Sequence, residues 1–214
     1  AGDDSTLRLV ATDGYRLAKR GESPKLKEDV KGKVIIPAKA LLELSRLIEA
    51  STESGELQVH FSAEQIAFKL GDAALVSRVI QGQFPDFRQV MPKKSTQRLV
   101  INRRSFLEAA ERASVIAAGS ANIVRFEIKA NKFHLFASTP DVGTIDEVVE
   151  AEIKGEVKGQ IAFNIRLIVD VLKAMDKEMV VLELSENLGP GVIKEDGSGD
   201  YVYIVMPIKT QEGV

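Results

Sequence analysis

The sequence predicts an α+β fold built from a repeated unit, in which a short strand leads into a helix and antiparallel strands follow. Two observations support this prediction. A strand-to-helix pattern occurs at three places along the chain, spaced roughly 62 to 65 residues apart. Alternation of apolar and polar residues, typical of half-buried strands, then follows each predicted helix. Because repeats of this kind fix an architecture, we expect sheets packed outside paired helices.

The first predicted element is a β-hairpin. Alternating runs over residues 7–12 and 15–20 flank the dipeptide Asp13-Gly14. Such a dipeptide is a strong hairpin signal, because both central residues of a type I′ turn need a positive φ. An acidic turn at residues 2–5 leads directly into the hairpin without an earlier strand pattern. We therefore expect the chain to begin inside a domain.

Three strand-to-helix junctions define the repeat. In each, a short apolar run is followed by apolar residues at helical spacing. The junctions are residues 34–37 before Leu41, Leu44 and Leu47, residues 99–102 before Phe106, Ala109, Ala110 and Ala113, and residues 161–164 before Ile168, Val171, Leu172 and Met175. The three copies predict paired units, and the opening hairpin then belongs to a half-unit that lacks its own strand and helix.

We expect two domains, at residues 1–92 and 93–214. The division falls in residues 91–96, a polar stretch with a proline that separates a strand pattern from the second repeat. Residues 201–209 form a last apolar strand pattern, and Pro207 within it implies a strand end or an edge.

Composition restricts the class of protein. Hydrophobic residues make up 44% and charged residues 28%, which predicts a folded globular protein, and no apolar run is long enough to span a membrane. The chain has no cysteine, which excludes disulfide scaffolds, thiolate zinc sites and cysteine nucleophiles and fits a cytoplasmic location. The net charge of -2 excludes tight DNA binding through bulk phosphate contacts.

No catalytic constellation is recognisable, so we expect neither an enzyme nor a metal or cofactor site. His60 and His134 lie in strand patterns of different repeats, where they make a poor ligand pair. Residues 195–200 resemble a calcium loop but lack its distal glutamate and flanking helices, so a polar hairpin loop is favoured. The alternative left open is an enzyme of unknown class that uses this loop with a metal.

The predicted helices carry basic residues together with nearly as many acids. Singly, each cation fits a solvated helix face. A second interpretation, in which the helices surround a hole, makes the cations the lining of a channel that contacts DNA phosphates. The candidates for such contacts are Lys39, Arg46, Arg103, Arg104 and Arg112.

Three segments resemble motifs of the bacterial beta sliding clamp, the beta subunit of DNA polymerase III. Residues 11–17 (ATDGYRL) resemble its ATDG(H/Y)RL signature, residues 83–92 (QFPDFRQVMP) its interdomain linker, and residues 203–209 (YIVMPIK) its terminal strand. The motifs occur in the family's order and cover essentially the whole chain. The resemblance implies the DNA-clamp fold, with the first domain and the start of the middle domain missing.

The resemblance also implies a processivity factor without catalytic residues. Two full-length subunits would close as a homodimeric ring around duplex DNA, without sequence preference. A hydrophobic pocket would bind short peptides of the DNA polymerase III alpha subunit, the clamp loader delta subunit and other proteins with a clamp-binding motif. The residues that match the family's pocket are Thr12, Gly14, Tyr15, Arg16, Leu17, Pro85, Gln89, Val90, Asn164, Leu167, Pro190, Ile204, Val205, Met206, Pro207 and Ile208.

By the same resemblance, Val115 and Ile116 match positions in the ring interface. Since the first domain is missing, we expect a monomer or a non-native crystal contact rather than the native ring. The sequence departs from the family at Gln89, where many members have arginine, and at Thr210, which replaces a frequent leucine ahead of a further tail. A third interpretation, an interaction protein unrelated to replication, predicts no affinity for clamp-binding peptides.

Overall fold

The computed structural model describes residues 7–24, 32–51, 56–92, 95–155, 160–185, 189–197 and 199–209. The acidic turn at residues 2–5 and the tail from Thr210 lie outside the described residues. Contacts divide the chain into two compact units, a larger one of residues 1–26 and 87–214 and a smaller one of residues 27–86.

The chain contains fourteen strands and three α-helices among the described residues. The helices are α1 (Ala38–Ala50), α2 (Arg103–Ala117) and α3 (Ile165–Ala174). The strands are β1 (Leu7–Thr12), β2 (Arg16–Glu22), β3 (Gln58–Phe61), β4 (Gln65–Leu70), β5 (Ala73–Arg78), β6 (Gln97–Asn102), β7 (Ile123–Lys129), β8 (Lys132–Thr139), β9 (Gly143–Val149), β10 (Ala151–Lys154), β11 (Gln160–Asn164), β12 (Met179–Leu184), β13 (Gly191–Glu195) and β14 (Tyr201–Val205). A short 3-10 helix spans Phe87–Gln89.

None of the helices in the described part of the chain is long and apolar enough to cross a membrane.

The larger unit contains two antiparallel sheets and two helices. Its seven-stranded sheet has the order β1-β2-β14-β13-β12-β6-β10, and its four-stranded sheet has the order β11-β7-β8-β9. Helices α2 and α3 contact each other, and their apolar faces pack with both sheets into one continuous core, which we call the main core. The predicted α+β fold, with sheets outside paired helices, is confirmed.

The first strand of each repeat in the larger unit is exchanged. Strand β6 pairs with β12 of the following repeat, and β11 pairs with β7 of the preceding repeat. The chain also changes sheets at the end of each repeat, since β10 pairs with β6 and Ile208 forms a bridge with Ala162 of β11. The two repeats are therefore related by an approximate internal two-fold arrangement.

The asparagines at the repeat junctions begin the helices. Asn102 accepts a hydrogen bond from the amide of Ser105 at 3.1 Å, and Asn164 accepts one from the amide of Arg166 at 3.1 Å. Each side chain satisfies an amide that has no partner inside its own helix. Pro37, at the same place in the first repeat, precedes α1 with φ of -57°, which suits a helix start.

The smaller unit is one sheet of order β3-β4-β5 with α1 packed against it. Its core cluster is Leu44, Ile66 and Phe68. The strand expected at residues 34–36 is wrong: this segment is not assigned as a strand, although the carbonyl of Ile35 accepts the amide of Ile80 at 2.8 Å. A single hydrogen bond does not make a ladder, and a strand needs a partner along its length.

The hairpin belongs to the larger unit because β2 pairs with β14 over five residue pairs, from Tyr201↔Arg20 to Val205↔Arg16. The compact units therefore do not coincide with the two expected domains, residues 1–92 and 93–214. That expected division stays a prediction about the family's domains.

Four phenylalanines fill the centre of the larger unit. Phe126 lies 5.2 Å from both Phe133 and Phe163, measured between ring centroids, and Phe106 packs edge-on against Phe126 and Phe133. Gly191 lies against this cluster, where a Cβ atom would approach Cζ of Phe163 to 2.9 Å. Interiors this dense do not accept an added methyl group without displacement.

The variant Gly191→Ala is expected to lower the free energy of unfolding by about 1 to 3 kcal/mol, because the methyl group overpacks the core. Urea denaturation measures the loss. The matched control is Gly199→Ala in the connection that follows β13, where an added Cβ meets no atom within 4 Å. Equal stabilities of the two variants would contradict the packing assigned to Gly191.

Candidate functional site

The turn of the hairpin is held by the side chains of Asp13 and Thr12. The carboxylate of Asp13 accepts the amides of Tyr15 and Arg16, both at 3.0 Å. Thr12 Oγ1 accepts the amide of Gly14 at 3.1 Å and donates to the carbonyl of Arg16 at 2.7 Å. The hairpin is confirmed, but the type I′ turn is wrong, because Gly14 has a positive φ of 89° and Asp13 does not.

Asp13 stays ionised because of these contacts. Partial burial opposes ionisation, but the hydrogen bonds from the Tyr15 and Arg16 amides and from the Arg16 side chain outweigh it and lower the pKa of Asp13. The loop between β1 and β2 therefore carries a fixed negative charge beside Arg16.

Arg16 joins the turn to α3. Its Nε donates to Asp13 at 3.0 Å and its Nη1 donates to Asp170 of α3 at 2.6 Å. Hydrogen bonds with Tyr203 and Asp170 raise the pKa of Arg16 above its already high ordinary value. The guanidinium is thus a permanent cation shared among three distant segments of the chain.

Met206 lies where the hairpin, β13 and β11 meet. Its amide donates to the carbonyl of Tyr15 at 2.9 Å. The pairing Gly191↔Val205 brings Pro190 beside Met206, and the bridge Ala162↔Ile208 brings Asn164 beside it from the other side. Three segments that are remote from one another in sequence therefore surround one exposed methionine.

An apolar cluster covers one face of the seven-stranded sheet near Met206. Its buried members are Leu17, Val192, Val202 and Ile204, and its partly buried members are Val10, Phe87 and Met91. We call this cluster, together with the exposed Met206 and Tyr15 at its edge, the outer apolar patch. Tyr203 and Val205 alternate with these residues along β14 and face the main core instead.

The outer apolar patch is partly open to solvent. The exposed fraction is 72% for Tyr15, 39% for Met206 and 40% for Val90 of the neighbouring linker. Exposed apolar side chains next to a buried apolar floor are typical of surfaces that bind a partner. Chemically, the patch can receive aliphatic and aromatic side chains.

The predicted pocket residues differ in their location and burial. Leu17 and Ile204 are the floor of the outer apolar patch, and Val205 is fully buried in the main core, so only its backbone is available to a ligand. Pro85 belongs to the smaller unit. Partly buried are Arg16, Asn164, Leu167, Pro190, Pro207 and Ile208, and exposed are Thr12, Gly14, Tyr15, Gln89, Val90 and Met206.

Sequence reasoning missed several residues of this region. Val192 and Val202 complete the floor, and Phe87 and Met91 pack over it from the linker. Alternation along β13 and β14 could have identified the two valines, since they share a face with Ile204. Asp170, which holds Arg16, gave no local signal, because its partner is 154 residues away in the chain.

The predicted DNA-facing residues are largely engaged with the protein itself. Arg103 donates to the carbonyls of Lys177 and Leu172, both at 3.0 Å, and so connects α2 with the end of α3. Arg112 makes a bidentate pair with Glu147 at 2.7 and 2.8 Å. Arg46 pairs with Glu43 and Arg104 with Glu108, while Lys39 is exposed at the start of α1.

The two predicted ring-interface residues differ in exposure. Val115 is 68% exposed on α2. Ile116 packs against the main core, and its carbonyl accepts the hydroxyl of Thr139 at 2.7 Å. Near them lies β9, the edge strand of the four-stranded sheet, which has a partner on one side only among the described residues.

Within the described ranges, no group of three or more histidine, cysteine or acidic side chains could hold a metal ion. His60 lies in β3 and His134 in β8, so the prediction that they occupy different sheets is confirmed. In the loop expected to be a polar hairpin connection, Glu195 accepts the amides of Asp176 and Lys177, and Asp196 pairs with Arg98 at 2.9 Å. Ser198 of that loop lies outside the described residues.

Comparison with known proteins gives one family. The DNA polymerase III beta subunit central domain matches residues 2–86, and the C-terminal domain of the same subunit matches residues 88–209. The chain is 32% identical to the beta sliding clamp of Synechocystis and 32% identical to that of Staphylococcus aureus, in each case over 97% of this chain. The alignments cover 56% and 54% of those proteins, so the chain spans about half of their length.

Solved structures agree. The DNA polymerase sliding clamp of Bacillus subtilis matches 97% of this chain and 55% of its own chain, with a TM-score of 0.90 and 28% sequence identity. This chain therefore shares the fold of that sliding clamp over nearly its whole length.

Tyr203 makes the stability of the fold depend measurably on pH. Burial raises the pKa of its hydroxyl to about 12, although the nearby Arg16 opposes the shift. Above its ordinary pKa near 10, the unfolded chain releases the proton and the folded chain does not, so unfolding is favoured as the pH rises toward 12.

Stability is therefore expected to fall between pH 10 and 12, and Tyr203→Phe should remove on the order of 2 kcal/mol of that fall. Chemical denaturation from pH 8 to 11.5 provides the comparison, with Tyr15→Phe, an exposed position, as the control. An unchanged slope in Tyr203→Phe would argue against the burial assigned to this hydroxyl.

Proposed function

Because this chain belongs to the DNA polymerase III beta subunit family of sliding clamps, we propose that it is the partner-docking portion of a DNA sliding clamp, without catalytic activity of its own. The outer apolar patch carries the proposal. It combines the hairpin signature, the terminal strand and the linker, which are the three segments that resemble the family's motifs.

The ligand of the patch is a short extended peptide with leucine and phenylalanine anchors. Leu17, Val192, Val202 and Ile204 supply a flat apolar floor, and Tyr15 and Met206 supply exposed contacts at its edge. Burial of one leucine and one phenylalanine side chain contributes about 3 to 6 kcal/mol before ordering costs. With added backbone contacts, we expect a micromolar dissociation constant, which corresponds to a binding free energy of about -8 kcal/mol.

The partners of the complete protein are the DNA polymerase III alpha subunit, the clamp loader delta subunit and other cytoplasmic proteins that carry such a peptide. Each of them would use the same leucine and phenylalanine anchors, so they would compete for one patch per chain. Competition of this kind suits sequential exchange of partners, because micromolar complexes dissociate quickly.

The internal two-fold arrangement supports ring formation by the complete protein. In the repeat that contains α3, β14 pairs with the hairpin strand β2. In the repeat that contains α2, β9 occupies the equivalent place, and among the described residues its outer edge is unpaired. An edge strand presents unpaired backbone groups that a second chain can complete. We infer that a hairpin of another subunit pairs with β9, next to Val115, in a homodimeric ring.

DNA would be held by topology more than by affinity. The net charge is -2, and Arg46, Arg104 and Arg112 pair with glutamates of the same chain. Tight binding through phosphates needs many uncompensated cations. A ring that encloses duplex DNA needs only weak contacts, and weak contacts permit sliding without sequence preference.

The test titrates the peptide Gln-Leu-Asp-Leu-Phe into the purified chain by calorimetry. The parent is expected to bind with a micromolar dissociation constant, and Met206→Ala is expected to bind about tenfold more weakly, because it removes an exposed apolar contact at the edge of the patch. Met206 is preferred to Leu17 for this test, since Leu17 is buried and its truncation would also open a cavity.

The control is Val142→Ala, which truncates another exposed apolar residue of the larger unit, 56% exposed and far from the patch in the strand order. Parental affinity in Met206→Ala would place the peptide elsewhere. Absence of binding to the parent would reject the docking function.

A further inference from the structure

We propose that Asp170 of α3 is a positioning residue for peptide docking: through Arg16 it holds the Asp13-Gly14-Tyr15 turn against Met206 at the edge of the outer apolar patch. The inference rests on the proposed function. It assigns to Asp170 a role that the motifs do not indicate, and it changes the role expected of Arg16 from ligand contact to support.

The geometry forms one connected path. Asp170 accepts Nη1 of Arg16 at 2.6 Å, and Asp13 accepts Nε of the same guanidinium at 3.0 Å. The other oxygen of Asp13 accepts the amide of Tyr15 at 3.0 Å. The carbonyl of Tyr15 in turn accepts the amide of Met206 at 2.9 Å. Each link is a hydrogen bond, and three of the four involve a charged group, which strengthens them.

Arg16 is already engaged by two carboxylates of its own chain. Its Nε donates to Asp13 and its Nη1 donates to Asp170. Its positive charge faces two negative charges, so an acidic peptide residue would meet a site that is already neutralised. The side chain is also two-thirds buried, with a relative exposure of 33%. These contacts indicate that Arg16 supports the turn from within the protein and does not contact the ligand.

Helix α3, which carries Asp170, is firmly packed in the larger unit. Its residues Ile165, Ile168, Val171 and Leu172 are buried in the main core. The hydroxyl of Tyr203 in β14 donates to the carbonyl of Leu167 at 2.9 Å, which connects the same helix to the terminal strand. Asp170 therefore joins an exposed turn, which contains a glycine at positive φ, to the buried centre of the larger unit.

The consequence for binding is preorganisation. A turn that is already fixed loses less conformational entropy when a peptide contacts Tyr15 and Met206. Without Asp170, the turn keeps its local Asp13 contacts but loses its connection to α3. We expect this to weaken peptide binding more than it weakens the fold, because both carboxylates are about half exposed and exposed ion pairs add little to stability.

The experiment compares Asp170→Asn with Lys173→Gln in the full chain. Lys173 is the matched control, since it lies one turn further along α3 and forms an exposed ion pair with Glu111 at 2.7 Å. Peptide affinity is expected to fall about two- to fivefold in Asp170→Asn and to stay unchanged in Lys173→Gln, with similar melting temperatures in both. Parental affinity in Asp170→Asn, or an equal loss in the control, overturns the proposal.

Amide hydrogen exchange tests the same path without a peptide, so a failure of the docking function does not affect it. Asp170→Asn should accelerate exchange of the Met206 amide, which donates to Tyr15, and should leave the Ile208 amide, which donates to Ala162, unchanged. Equal rates at Met206 in the variant and the parent overturn the proposal. A double-mutant cycle with Asp13→Asn should be non-additive, because both carboxylates act through Arg16, and additive losses would also overturn it.

Discussion

The antiparallel pairing of β2 with β14 is the interaction on which the outer apolar patch depends. It aligns Leu17 with Ile204 and Val205 with Arg16, and so places the hairpin turn over the end of the terminal strand. The pairing uses backbone hydrogen bonds, which many side chains tolerate, while the register is fixed by the apolar face that β2 and β14 share. The patch therefore consists of segments from opposite ends of the chain, and it exists only as long as this ladder is intact.

Local features of the fold could be predicted from the sequence. The helices, the hairpin and the helix starts at Asn102 and Asn164 are encoded within a few residues, since apolar spacing and caps act over one or two turns. The exchange of β6 and β11 between repeats could not be predicted, because strand pairing over long separations leaves no local pattern. The segment at residues 34–36 shows the limit: its composition suits a strand, but composition supplies no partner.

The residues of the candidate site could also be predicted only in part. Motif resemblance identified Tyr15, Leu17, Ile204 and Met206, which the structure brings together, because the motifs mark the segments that form the patch. The resemblance could not show which of these side chains a ligand can reach, because their exposure follows from the alternation of faces along β14. It grouped Val205 with Ile204, although Val205 faces the opposite side and is buried in the main core. The role of Arg16 depended on Asp170, whose contribution requires the packing of α3 and has no counterpart in a linear pattern.

The exchange of first strands has a consequence for the order of folding during synthesis. Strand β6 lacks its β12 neighbour until residues 179–184 have been made, and β2 lacks its β14 neighbour until residues 201–205 have been made. The seven-stranded sheet therefore cannot close while the chain is still short, and its earliest strands wait with one edge unsatisfied. Such long sequence separations slow folding and lengthen the time during which apolar edges are exposed. Synthesis of residues 179–205, which complete the sheet, takes roughly one to five seconds at ordinary rates of elongation, and the early strands stay incompletely paired during that time.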